Sequence, residues 1–175
     1  MDPPPGREWK HPEGRWFIEN SWSKRLENVS SADEQALRTR YFQPISRWLE
    51  HVQNDFAARA DWCVKDFAAA NHPPVVRLQD TPLTIVAAPL EEVTLNAAAT
   101  TDPDGDRLRF RWWHYHEAGT YAGQRLADLD SPIVKRTIPA DARAGQTIHM
   151  ICEVTDDGSP PLTRYQRVVI QIGNQ

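Results

Sequence analysis

The chain has 175 residues, with 40% hydrophobic and 25% charged residues and a formal charge of −4, enough for one packed domain or a small domain plus part of another, and too apolar to be disordered throughout. Split at position 71, the charges are 10 basic against 11 acidic before it and 10 against 13 after it, so neither half has the basic footprint of a nucleic-acid binder. No apolar run approaches the roughly 18 residues of a membrane span, and the opening residues, Met1 to Pro5, carry no apolar signal region.

Residues 1–30 show no sustained periodicity but carry Trp9, Trp16, Phe17 and Trp22 among charges. Such a segment cannot hold a fold alone in water and needs a surface to lie on. Ser31 to Glu34 has the capping-box pattern, a hydroxyl followed three residues later by a carboxylate, and predicts a helix of about ten residues. Pro44 suits the first turn of a second helix. There Ile45, Trp48, Leu49, Val52, Phe56 and Ala60 fall along one stripe at helical spacing. That stripe predicts a docked face. Pro73 and Pro74 end the helical part and place a domain boundary at Asn71.

From there the grammar is β. Strands are expected at 75–78, 83–87, 92–98, 107–115, 133–138, 146–155 and 164–172. Their number and spacing fit an immunoglobulin-like β-sandwich of about 100 residues. The fold class is therefore mainly β, a sandwich at 71–175 preceded by a Trp-rich helical segment at 1–70.

Strand parity separates the two faces. Leu108, Phe110 and Trp112 share one side of the 107–115 strand, and Arg107, Arg109 and Arg111 the other. Three successive arginines cannot all be buried unpaired, so Trp112 points into the core. Trp113, Tyr115, Ile151 and Val169 then face outward, and so apolar an outer face implies a cover. Either the N-terminal segment docks there or a ligand does. For a ligand, flat rings stack on sugar faces, with Trp113, Tyr115 and Tyr121 as the carbohydrate-binding residues.

The run from Asp102 to Asp106 (DPDGD) reads first as a type I turn. Its second reading is a calcium site, because closely spaced carboxylates suit a hard cation. Asp156 and Asp157, at the end of the 146–155 strand, would complete a composite site. The expectation is no cofactor, with calcium as the alternative at this site.

Other constellations carry less. His114, His116 and His149 could ligate zinc, but His149 falls on the opposite parity from His114. Cys63 and Cys152 read as buried thiols, with a bridge between them as the alternative. Asp128, Asp130 and Glu117 read as solvated loop acids before they read as glycosidase carboxylates. There is no nucleophile elbow and no Gly-rich phosphate loop.

Several stretches together resemble one family: QNDFAARADWC at 53–63, ANHPPV at 70–75, DPDGD at 102–106, WWHYHEAGTY at 112–121 and VTDDGSPPL at 154–162. They are similar to the C-terminal part of a microbial family of cellulose-binding proteins. That family pairs a nucleoside-hydrolase-like domain with an immunoglobulin-like one. The resemblance covers about residues 40–173. It implies that 1–70 is the last helical piece of the hydrolase-like domain, and that the chain is a C-terminal fragment or a shortened gene product. It also implies an extracellular or periplasmic setting, although this chain shows no signal peptide. The β-region resembles cadherin-like and polycystic-kidney-disease-type modules more loosely. That resemblance implies calcium ligation by Asn71, Asp102 and Asp104.

The expected function is a non-catalytic carbohydrate (cellulose)-binding module. Its partner is a polysaccharide, or the hydrolase-like domain of a parent protein, with neither nucleic acid nor membrane involved. One alternative is a structural cap that stabilises the hydrolase-like domain. The other is a piece of an N-glycosidase or glycoside hydrolase.

Overall fold

The computed structural model describes residues 46–174 and, before them, two short strands, β1 (Trp9–Lys10) and β2 (Phe17–Ile18). β1 and β2 pair antiparallel, Trp9 opposite Ile18. The helix expected after Ser31 and the start at Pro44 lie outside the described residues. The chain divides into two units, Met1–Leu49 and Glu50–Gln175. Nearly all of the helix at 49–62 therefore goes with the sandwich, some twenty residues ahead of the boundary expected at Asn71.

Six strands build the sandwich: β3 (Thr84–Ala87), β4 (Glu92–Asn96), β5 (Arg109–His114), β6 (Ile133–Thr137), β7 (Thr147–Thr155) and β8 (Thr163–Ile172). One sheet has the order β3-β8-β7-β5 and the other pairs β4 with β6. The expected strand at 75–78 reduces to a single bridge between Val75 and Thr101. β3 runs parallel to β8, Thr84 opposite Val169, while β7 is antiparallel to both β5 and β8.

The core follows the parity rule. Leu95, Trp112, Ile148, Met150, Val168 and Ile170 are fully buried between the sheets. Cys152 is buried with them, and burial pushes its thiol up to about 12. Cys63 is a free, exposed thiol, so of the two expected buried cysteines only Cys152 is one. His114 is also fully buried: its Nδ1 accepts from Leu126 N at 3.3 Å, which puts the ring proton on Nε2. Burial, with His116 next, lowers its pKa to about 4.

The helix α1 (Leu49–Trp62) corrects the expectation of a docked apolar stripe. Val52 and Phe56 are 60% and 74% exposed. The face turned to the sandwich is the one carrying His51, Asp55, Ala58 and Trp62. His51 Nδ1 meets Thr163 Oγ1 at 2.9 Å, and its ring sits edge-on to Tyr165 at 5.9 Å. Asp55 accepts from Arg164 at 3.1 Å, and the bonds from Arg59 and Arg164 hold its carboxyl below the ordinary carboxylate value. Trp62 Nε1 donates to the Asn71 carbonyl at 2.7 Å and its ring stacks on His72. Polar and mixed contacts, not the aliphatic stripe, seat this helix.

Candidate functional site

Trp113 lies opposite Ile151 on the outer face of the four-stranded sheet, and both are buried, at 5% and 6% exposure. The centre of that face is thus covered, as its apolar character demands. Trp113 Nε1 donates to Glu153 at 3.1 Å and its ring tilts against Tyr115 at 5.5 Å. Tyr121 belongs to the core cluster instead, its hydroxyl donating to Asp141 at 2.9 Å. Burial first, then Asp141, raises the Tyr121 pKa. The three rings expected to form a sugar platform therefore do not share one open face. Stacking needs an exposed ring plane, and the planes of Trp113 and Tyr121 are spent on packing.

What is open beside β5 is a groove of about 610 Å³ between the start of α1 and the exposed edge of the sheet. Leu108 and Phe110 give it an apolar side, and Arg109, Arg111, Asp130 and Asn54 give it hydrogen-bonding groups. Arg111 is held by Asp128, at 2.6 Å and 3.1 Å, and by Glu153 at 3.8 Å; the Asp128 bond raises its pKa further. The sequence placed these arginines outward but did not find their partners. The signal was the register that sets Arg111 opposite Glu153.

The predicted acidic residues do gather. Asp102 Oδ1 accepts from the backbone N–H of Asp104 at 2.8 Å and of Asp106 at 3.2 Å, a turn closed on its own side chain. Asp104 takes the His72 N–H at 2.6 Å and the His72 ring at 3.1 Å. Oxygens of Asp102, Asp104 and Asp106 lie within 4.8 Å of one another. Asp156 is fully buried, and its Oδ1 accepts from Asn71 Nδ2 at 3.1 Å, Gly158 N at 3.1 Å and Leu162 N at 2.9 Å. Asp157, more exposed, caps Arg107 N at 2.8 Å. The residue that sequence reading missed is Asp106. Burial raises its pKa, and the charges of Asp102, Asp156, Asp157 and Asp104 raise it further. The acidic run as a whole had been noted, but Asp106 was not singled out beside Asp102 and Asp104.

With this geometry in hand, the comparisons with known proteins can be placed. Residues 92–172 match the family described as the C-terminal domain of cellulose-binding protein Sde0182. The family resemblance holds across the sandwich. The match takes in β4 to β8, the groove's floor and most of the acidic loops. A solved structure of a nucleoside hydrolase-related hypothetical protein from Saccharophagus degradans, associated with carbohydrate metabolism, is similar over 73% of this chain. The two are 36% identical, with a TM-score of 0.66. This chain spans 32% of that protein's length. No curated protein matches the chain.

Proposed function

We propose that the chain is a non-catalytic, immunoglobulin-like accessory module that binds a cellulose-type polysaccharide chain. The observation that carries this reading is the match of residues 92–172 to the C-terminal domain of a cellulose-binding protein. The groove beside β5 suits such a ligand. A glucan presents apolar C–H faces and a dense row of hydroxyls, and the groove offers Phe110 and Leu108 for the one and Arg109, Asp130 and Asn54 for the other. Of the acids lining the groove, Glu153 is committed to Trp113 and Arg111, which leaves the hydroxyl contacts to Asp130 and Glu50.

The test is a pull-down on microcrystalline cellulose, with calorimetry on cello-oligosaccharides. Wild-type chain should be retained, and Arg109→Ala with Asp130→Ala should weaken binding about tenfold with the fold intact. No retention of the wild type overturns the reading. Release of reducing ends by the chain alone overturns the non-catalytic part.

A second reading is favoured by one specific observation, the exposed apolar face at Val52, Phe56, Val64 and Phe67. In that reading residues 1–70 are the last helical piece of a hydrolase-like domain, and this face packs on the rest of it. The sandwich then acts as a structural cap. Weak solubility of the chain, cured by Phe56→Ser and accompanied by no glycan binding, supports the cap.

A further inference from the structure

On β6 the side that carries Val134 faces the core, and Ile138, just past the strand, is buried on that same side. Arg136 stands between them with the same parity, half-buried. An arginine keeps its charge when buried, so it needs a counter-charge or acceptors for its donors. Its Nη2 donates to the Ala127 carbonyl, but its Nε is buried without a hydrogen bond. Among the described residues no carboxylate pairs with it. Burial lowers its pKa, and the acid whose charge opposes that, Asp128, is bonded to Arg111.

Arg136 lines a cavity of about 410 Å³, and Arg125 lines it too. Arg125 likewise has no ion pair among the described residues. The charges of both reach His114: after burial and His116, they lower its pKa further. Asp141 is the single acid of the lining, and its Oδ1 already takes the Tyr121 hydroxyl at 2.9 Å. Two cations therefore stand against one acid, and the complement of the cavity is an anion. A bare inorganic anion would leave the rest of the lining unused. Gln124 and Asp141 are suited to hydroxyls, and Leu126 and Pro139 to apolar contact. One ring that carries a carboxylate, several hydroxyls and C–H edges meets all three kinds of group.

We propose that this cavity binds a sugar acid, a uronate residue of a polysaccharide, with Arg136 and Arg125 holding its carboxylate. The sugar half of the assignment rests on the carbohydrate-binding reading above, and the anion half on the arginines alone. The cavity shares no lining residue with the groove beside β5, so the two sites are separable by substitution.

The test titrates the full chain by calorimetry with sodium glucuronate, and with glucose, sodium acetate and inorganic phosphate for comparison. Glucuronate should bind with a Kd on the order of 1 mM, as a ligand of one ring allows. Each of the other three should bind at least tenfold more weakly, and added salt should weaken glucuronate binding. Arg136→Gln should weaken it at least tenfold, through loss of a charge-assisted pair. Arg125→Gln changes an exposed residue and should weaken it several-fold, so a misfolded Arg136 variant does not void the test. Arg77→Gln, an exposed arginine that lines neither site, should bind as wild type does. No heat with glucuronate up to roughly 20 mM overturns the proposal. So does unchanged affinity in Arg125→Gln or in a folded Arg136→Gln. Glucose binding as tightly overturns the anion half, and acetate or phosphate binding as tightly overturns the sugar half. Loss of cellulose retention with glucuronate still bound overturns the groove reading alone and supports this site as a separate one.

Discussion

In the interior of the sandwich, Trp112 Nε1 and His114 Nε2 are buried without a hydrogen-bond partner, the first among apolar side chains and the second beside the His116 and Tyr121 rings. At the loop end the unmet atoms are three oxygens, drawn from residues that touch one another or share neighbours. An isolated buried donor costs about 1–3 kcal/mol, which a large hydrophobic core absorbs. Clustered acceptors cost more than their sum, because each carboxylate also repels the next. The contrast teaches that the type and grouping of unsatisfied atoms matter more than their presence. Scattered nitrogens are tolerated in packing, whereas grouped acceptors raise the cost of burying one another.

The largest effect belongs to the interior. Trp112→Ala empties the centre of the core and should cost about 3–5 kcal/mol in urea denaturation. An unchanged unfolding midpoint would break the account of the core.

Next comes the pH dependence of the interior. The folded His114 has its pKa lowered to about 4, below the ordinary 6.5, so the unfolded chain binds its proton first as the pH falls. The neutral ring's contribution is complete above pH 6.5 and is lost on descending toward pH 4. That loss is about 3 kcal/mol. His114→Gln should flatten this part of the stability curve, and an equal slope in the variant would assign the dependence elsewhere.

At the acidic end, a Cβ added at Gly158 would collide with the Asn71 side chain. Gly158→Ala should therefore cost about 1 kcal/mol. A loss of that size at the loop end, well below that of Trp112→Ala, sharpens the contrast with the interior. The smallest effect is that of Arg109→Ala, an exposed groove residue. Its stability should stay within about 0.5 kcal/mol of wild type while glycan retention falls.

Much of the β-region was legible because its signals are local. Alternation on the 107–115 and 146–155 strands assigned Trp112 and Cys152 to the core, and turn residues bracketed β4 to β8 to within two residues at each end. The helix was legible as an element but not as a surface. Its apolar stripe predicted docking, whereas His51 and Asp55 dock through Thr163 and Arg164, 112 and 109 residues away, and Trp62 through the carbonyl of Asn71 just beyond the helix. The acid cluster was half legible for the same reason. Asn71, Asp102, Asp104, Asp156 and Asp157 were singled out, but which oxygens their own loops consume depends on backbone geometry. That geometry occupies Asp104 and Asp157 and brings in Asp106.

The parallel pairing of β3 with β8 carries a mechanical consequence. Tension applied at the beginning of β3 and at the far end of β8 pulls two neighbouring strands past each other along their length. Such sliding strains the rungs from Thr84–Val169 to Ala87–Ile172 together, whereas an antiparallel hairpin pulled at its open end peels apart one rung at a time. Load applied along the strands therefore meets four rungs at once.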